Sequence, residues 1–142
     1  MTSEQLLNKK KGIIGFDYND EKECLIAVKV NGYSLALIEN QTPEMCMSAV
    51  ANTGWALQHV KEQTPEICLA AVKIDGNSLR YVRKQTPEIC MTAVKNDGLA
   101  LKYVKNKTPE ICLEAVKQNE KALQFVNDNL IPELCKLLNS EE

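Results

Sequence analysis

The same short sequence recurs along this chain at a fixed interval of 22 residues. The segment "TPEICLAAVK" begins at Thr64, "TPEICMTAVK" at Thr86 and "TPEICLEAVK" at Thr108. Extending the period in both directions divides the chain into five units: residues 20–41, 42–63, 64–85, 86–107 and 108–129. Self-similarity at a fixed period of this length is typical of a solenoid, in which each unit buries its faces against its neighbours. The repeat therefore predicts a stacked array.

Each unit carries signals for the start of an α-helix. In unit three, Thr64 can cap the helix by accepting a backbone N–H, Pro65 suits the first helical position, and Glu66 favours the positive end of the helix dipole. Unit one lacks Thr-Pro-Glu, and there Asp20 can supply the capping oxygen. A glycine follows where a left-handed residue would end the helix, at Gly32, Gly54, Gly76 and Gly98. We therefore predict a first helix, helix A, of about nine to eleven residues.

The remainder of each unit is shorter. In unit three it reads "NSLRYVRKQ", with apolar residues at Leu79, Tyr81 and Val82 and a small residue at Ser78. This pattern favours a short second helix, helix B, over a strand. A single helical turn or an irregular segment is the alternative. The fold class that follows is all-α: a right-handed α-solenoid of stacked short helix pairs.

The first and last units of an array each have one face without a neighbour, so both ends should be modified. Residues 1–19 are expected to form an N-terminal cap with the apolar side chains Leu6, Leu7, Ile13 and Phe16. Residues 130–142 are expected to form a C-terminal capping helix that restarts helix A one residue late, with Pro132, Leu134 and Cys135. We therefore expect a single repeat domain over residues 1–142 that is closed at both ends.

A cysteine occupies the same position in every unit: Cys24, Cys46, Cys68, Cys90 and Cys112. Leucine recurs in the same way, at Leu35, Leu57, Leu79, Leu101 and Leu123. Equivalent atoms of packed helices lie about 8 to 10 Å apart, whereas a disulfide joins Cα atoms roughly 4.4 to 6.8 Å apart. A metal site needs several ligands around one ion, and the chain has one histidine. We interpret the cysteines as small buried hydrophobic residues in a reducing compartment, with a thiol-dependent redox or metal protein as the alternative.

Composition and motifs narrow the function further. The formal net charge is −2, so no overall field attracts the chain to nucleic acid or to an anionic membrane. The sequence shows no apolar stretch long enough to span a membrane and no classical signal peptide. It also contains no recognisable phosphate loop, nucleophile elbow or Cys/His pair, and His59 shares its register with rings in other units, which predicts a space-filling role. We expect a non-enzymatic cytoplasmic protein without a cofactor and without membrane contact.

Residues that vary at a fixed position of the repeat are the candidates for partner binding. The position after each glycine includes Tyr33, Trp55 and Leu99, which would lie along one edge. Large amphipathic side chains such as tyrosine and tryptophan anchor many interfaces. The alternative is that they join helix B to the preceding helix.

A second candidate is a basic ridge on the outer face of helix B. Its members are Lys61, Arg80, Arg83, Lys102 and Lys105. Acids at helix starts and bases toward helix ends also suit helix dipoles and solubility, so a solvated face without a partner is the alternative. As a binding surface, the ridge suits a protein partner or, alternatively, nucleic acid.

At "QTPEICLAAVK" and "QTPEICMTAVK" the chain resembles a repeat family known only as a domain of unknown function. The units of that family read close to Thr-Pro-Glu-Ile-Cys-x-x-Ala-Val-Lys, and it occurs in bacteria, including host-associated ones, and in large viruses. The resemblance spans residues 20–129 and extends weakly to residue 135, although unit one departs from it by lacking Thr-Pro-Glu. It implies a repeat array and a role in host interaction or inhibition.

Taken together, these features predict a monomeric module that binds a protein partner along its extended repeat surface. One alternative is an inhibitor or effector that blocks a partner's functional site, and such an effector would act in the host cytosol. Another alternative is a nucleic-acid binder that uses the basic ridge.

Overall fold

The computed structural model of the protein describes residues 2–3 and 16–141, and over these residues it is helical without a strand. Ten-residue α-helices alternate with six-residue 3-10 helices, one pair for each 22-residue unit. The pairs are α1 (Glu21–Val30) and η1 (Gly32–Leu37), α2 (Pro43–Asn52) and η2 (Gly54–His59), α3 (Pro65–Ile74) and η3 (Gly76–Tyr81), α4 (Pro87–Asn96) and η4 (Gly98–Tyr103), and α5 (Pro109–Gln118) and η5 (Glu120–Phe125). A short η6 (Asp128–Leu130) and the helix α6 (Ile131–Ser140) follow. Consecutive pairs pack on one another, which confirms the α-solenoid.

The helix A starts are confirmed in every unit. Threonine hydroxyl groups accept the N–H of the residue three positions later, as Thr64 does from Ile67 over 3.3 Å. Proline occupies the first turn of α2 to α5. In unit one the carboxylate of Asp20 accepts from the N–H groups of Lys22 and Glu23, so the predicted substitute cap also forms.

Helix B is confirmed as a helix, but it is a 3-10 helix and it begins at the glycine. It ends at Tyr81 in unit three, two residues before Arg83. The tighter winding of a 3-10 helix suits a segment that has room for only two turns. Consequently the prediction that Lys61, Arg83 and Lys105 lie on the outer face of helix B was wrong, because all three follow the helix in the turn to the next unit.

The predicted role of the glycines was wrong. Helix A is followed by an extended residue, such as Asp75 with φ −147° and ψ 112°, and none of the four described glycines has a left-handed φ. Each glycine instead lies against the next unit: a Cβ atom at Gly76 would come within 3.0 Å of the main-chain carbonyl oxygen of Ala93. The other three glycines meet the equivalent alanine carbonyls in the same way. Glycine is therefore required by the close approach of two units.

The core is a continuous seam along the stack. The leucines Leu35, Leu57, Leu79 and Leu101 are fully buried, as are the alanines and valines of helix A in the inner units. The five repeated cysteines are 0% to 4% exposed and none is disulfide-bonded. The prediction that these cysteines are buried is confirmed.

The structure describes the predicted C-terminal cap but only part of the predicted N-terminal cap. Leu6, Leu7 and Ile13 lie outside the described residues, whereas Phe16 is half-buried. At the C-terminal end, α6 restarts one residue late, as predicted, with Pro132 in its first turn. It packs against α5 but has no comparable packing against η5, and Leu123 is therefore 43% exposed. Leu123 thus differs from the four fully buried leucines at the equivalent position, because no 3-10 helix of a following unit packs against η5. Within the described residues, the structure contains no helix with the length and apolar character of a membrane span.

Candidate interaction surface

The turns between units are joined by a glutamine that the sequence analysis passed over. Gln63 donates from Nε2 to the carbonyl oxygen of Tyr81 over 2.8 Å, and its Oε1 accepts the N–H of Arg83 over 3.0 Å. Gln41 and Gln85 make the same two contacts with the unit that follows each of them. We call these three side chains the glutamine bridges. Their signal in the sequence was the recurrence of glutamine directly before Thr-Pro-Glu.

The glutamine bridges also contact the cysteine seam. The Sγ atoms of Cys46, Cys68 and Cys90 lie 3.5, 3.7 and 3.4 Å from the Oε1 atoms of the corresponding glutamines. Burial raises the pKa of each of the five repeated thiols above the ordinary value of 9.0. These thiols are therefore protonated at neutral pH, and those of Cys46, Cys68 and Cys90 act as weak hydrogen-bond donors to the glutamines.

Two cations of the predicted basic ridge donate hydrogen bonds to main-chain oxygens of the preceding unit. The guanidinium group of Arg83 donates to the carbonyl oxygens of Lys61 and Val60, each over 2.9 Å. The ammonium group of Lys61 donates to the carbonyl oxygen of Glu39 over 2.6 Å. These side chains therefore hold neighbouring turns together. Lys105 lies at the equivalent turn one unit later and is exposed.

The other two cations of the ridge lie among aromatic rings. The guanidinium carbon of Arg80 is 5.7 Å from the ring centroid of Trp55, 5.2 Å from that of Tyr81 and 5.6 Å from that of Tyr103. The Nζ atom of Lys102 is 4.9 Å from the centroid of Tyr103. We call these residues the aromatic–cation cluster: Trp55, Arg80, Tyr81, Lys102 and Tyr103. The two cations are exposed and the three rings are half-buried.

The rings also connect neighbouring units. Trp55 and Tyr81 pack edge to face with centroids 5.9 Å apart, and Tyr33 and His59 do so with centroids 6.2 Å apart. His59 therefore fills the ring position of the stack, as its register predicted. Tyr33 is 43% exposed and Leu99 is half-buried. The edge predicted from Tyr33, Trp55 and Leu99 thus joins units and is still accessible from solvent.

Electrostatically, the face formed by η1 to η4 has one sign. These four 3-10 helices contain no aspartate or glutamate, and their charged side chains are Arg80 and Lys102. Ion pairs among the described residues lie elsewhere, at Lys117 with Glu141 and Lys136 with Glu133. The described residues also contain no group of histidine, cysteine and carboxylate side chains able to hold a metal ion. The surface presents cationic and aromatic side chains, which are suited to binding another molecule.

Comparison with other proteins gives the chain a family. Searches of curated proteins and of solved structures found no match. A family model, described as a domain of unknown function (DUF4116), matches twice in succession, over residues 42–86 and 86–131. Each match spans two of the 22-residue units, and together they cover more than half of the chain. Unit one, which lacks Thr-Pro-Glu, lies outside both matches, and the resemblance read from the sequence is confirmed: the chain belongs to the DUF4116 family.

Proposed function

We propose that this protein is a non-enzymatic interaction module that binds a protein partner on the face formed by its 3-10 helices. The observation that carries the proposal is the aromatic–cation cluster, in which Arg80 is surrounded by rings from three consecutive units at an exposed position. Tryptophan, tyrosine and arginine are the residues most enriched among those that dominate binding energy at protein interfaces.

The rigidity of the face supports the same proposal. The glutamine bridges and the edge-to-face rings fix each unit on the next, so the cluster is already arranged before a partner arrives. A preformed surface loses little conformational entropy on binding. The buried protonated thiols suit a reducing compartment, and we place the protein in the cytoplasm for this reason.

The proposal is tested by comparing two variants that each remove one exposed cation. Arg80→Ala removes the centre of the cluster, and Lys95→Ala removes a charge from an exposed position of α4. Partners captured from a cell extract by the wild type are identified by mass spectrometry, purified and titrated against both variants. We expect Arg80→Ala to weaken binding by about 2 kcal/mol, or roughly 30-fold, and Lys95→Ala to leave it unchanged.

Two results would count against this function. Equal affinities of the wild type and Arg80→Ala for every purified partner would remove the cluster from the interface. Binding of single-stranded RNA that weakens steeply with salt and is lost in Arg80→Ala would assign the same face to nucleic acid instead.

A further inference from the structure

Two arginines three residues apart are used in opposite ways. Arg83 donates from both terminal nitrogens to main-chain carbonyl oxygens of the preceding unit. Over residues 16–141, in contrast, no oxygen atom accepts a hydrogen bond from the guanidinium group of Arg80, and no carboxylate pairs with it. A guanidinium group carries five N–H donors in a planar fork. Arg80 is therefore held in place by rings while its donors stay available.

The position of Arg80 favours one kind of acceptor. Rings that contact a guanidinium group restrict its orientation, and a pre-oriented fork pairs best with a carboxylate, which accepts two parallel hydrogen bonds. Lys102 repeats the arrangement one unit further, with its ammonium group near the Tyr103 ring. Two cations one unit apart therefore point to a partner with more than one acidic group.

The helices η1 to η4 supply no carboxylate to this face. The nearest acids in the sequence are Asp75 and Asp97, which precede η3 and η4 and whose Oδ1 atoms accept the N–H groups of Asn77 and Leu99 over 2.9 Å each. The second carboxylate oxygen of Asp97, Oδ2, also accepts a hydrogen bond from the side-chain Nδ2 of Asn77 over 2.7 Å. Both carboxylates are therefore engaged at the starts of the 3-10 helices, and the charge of the cluster is complementary to an external acid.

Resting on the proposed function, we propose that the partner segment is an acidic peptide that carries aspartate or glutamate next to an apolar side chain. One carboxylate pairs with Arg80, a second lies near Lys102, and the apolar side chain contacts the exposed edges of Trp55 and Tyr103. Nucleic acid fits less well, since a phosphate backbone needs a continuous row of free cations. Lys61 and Arg83, which would extend that row, already donate to main-chain oxygens.

The experiment is a selection of short random peptides displayed on phage, performed in parallel on the full-length wild type, Arg80→Gln and Lys95→Gln. Both substitutions remove one exposed positive charge, and circular dichroism and thermal unfolding verify that each variant is folded. We expect wild-type and Lys95→Gln selections to be enriched in acidic residues beside apolar ones, and the Arg80→Gln selection to lose that enrichment. Purified peptides should bind Arg80→Gln at least about tenfold more weakly than the wild type, with Arg80→Lys in between.

A double-mutant cycle separates the carboxylate contact from a general charge effect. Replacing the critical acid of a selected peptide by its amide should weaken binding to the wild type and have little further effect on Arg80→Gln. Peptides that depend on Trp55 or Tyr103 but contain no acid would overturn the acidic partner and leave the proposed function standing. A selection that yields no peptide dependent on any cluster residue would contradict both.

Discussion

The inner units of the array and its C-terminal end differ at three positions of the repeat. Where unit four follows unit three, glycine lies at the close approach, glutamine bridges the turn and leucine is fully buried: Gly76, Gln85 and Leu79. In unit five and the turn before it, the corresponding residues are Glu120, Lys107 and Leu123. Glu120 is exposed, Leu123 is 43% exposed, and α6 packs against α5 without comparable packing against η5.

The difference distinguishes residues that stabilise their own unit from residues that contact the neighbouring unit. Thr108 and Pro109 are retained in unit five because helix capping takes place within the unit. Glycine is lost in unit five, where no complete unit follows to approach it, whereas glutamine is already replaced by Lys107 in the turn between units four and five. A glutamate at position 120 also keeps a regular next unit from packing there, because its Cβ atom would occupy the space that every inner glycine leaves empty.

The largest effect should appear in the rate at which thiols react, which differs between the exposed cysteine of α6 and the buried cysteines of the core. Cys135 is exposed, whereas Cys46, Cys68, Cys90 and Cys112 are buried. We expect a thiol reagent to label Cys135 at once and the other four roughly a thousandfold more slowly, since they react only when the stack opens. Raising the pH toward 9.0 should accelerate the labelling of these four buried cysteines only slightly, because burial raises the pKa of their thiols above that value.

Mass spectrometry of the labelled protein over time measures these rates. A Cys135→Ser variant provides the control and should lack the fast phase. Rapid labelling of any of the four buried cysteines in the native protein would mean that the seam is accessible to solvent.

The leucines give the next largest effect. Leu79→Ala should reduce the free energy of unfolding by about 2 to 5 kcal/mol, because it leaves a cavity among fully buried neighbours. Leu123→Ala should reduce it by about 1 kcal/mol or less, since that side chain is already half in solvent. Urea unfolding monitored by circular dichroism measures both. Equal losses would show that η5 is covered in solution.

The glycines provide a sharper comparison between the two regions. Gly76→Ala places a methyl group against the carbonyl oxygen of Ala93 and should lower stability by about 1 to 3 kcal/mol. Glu120→Ala keeps the Cβ atom and removes only an exposed carboxylate, so stability should change by less than about 0.5 kcal/mol. Thermal unfolding of the two variants and of the wild type measures both changes in stability. A Gly76→Ala protein as stable as the wild type would refute the steric explanation.

Much of the fold could be predicted because local signals and the period agree. Thr-Pro-Glu located the helix A starts, and the recurring cysteine identified a buried position of helix A. The 3-10 winding of helix B and the role of the glycines could not be predicted, because both depend on how closely the next unit approaches. A helix-ending glycine and a contact glycine look alike in a single sequence.

The candidate surface was predicted in part for a similar reason. Trp55, Arg80 and Lys102 were proposed from their positions, and the structure brings them together with Tyr81 and Tyr103. The charge pattern did not separate Arg80 from Arg83, because only the three-dimensional turn shows which cation reaches main-chain oxygens. The repeated glutamine before Thr-Pro-Glu was passed over for the same reason, because only the three-dimensional turn shows that it contacts the next unit.

The smallest expected effect concerns the glutamine bridges. Gln63→Ala should lower stability by about 1 to 2 kcal/mol, because it leaves the N–H of Arg83 and the carbonyl oxygen of Tyr81 without their partner. Lys107→Gln should raise stability by about 0.5 to 1.5 kcal/mol, since it introduces a bridge at the junction that lacks one. Lys107→Ala is the control, and we expect it to change stability by less than about 0.5 kcal/mol.

Hydrogen exchange of backbone amides shows where in the chain Lys107→Gln and Lys107→Ala change the stability. Lys107→Gln should slow exchange of the amide of Asn127, the residue equivalent to Arg83, while leaving the amides of unit two unaffected. If Lys107→Gln were no more stable than Lys107→Ala, the bridge would depend on features that unit five has lost, such as the glycine at position 120. The double variant Lys107→Gln with Glu120→Gly would then reveal whether the two losses at the end of the array are coupled, since coupled residues give non-additive free energies.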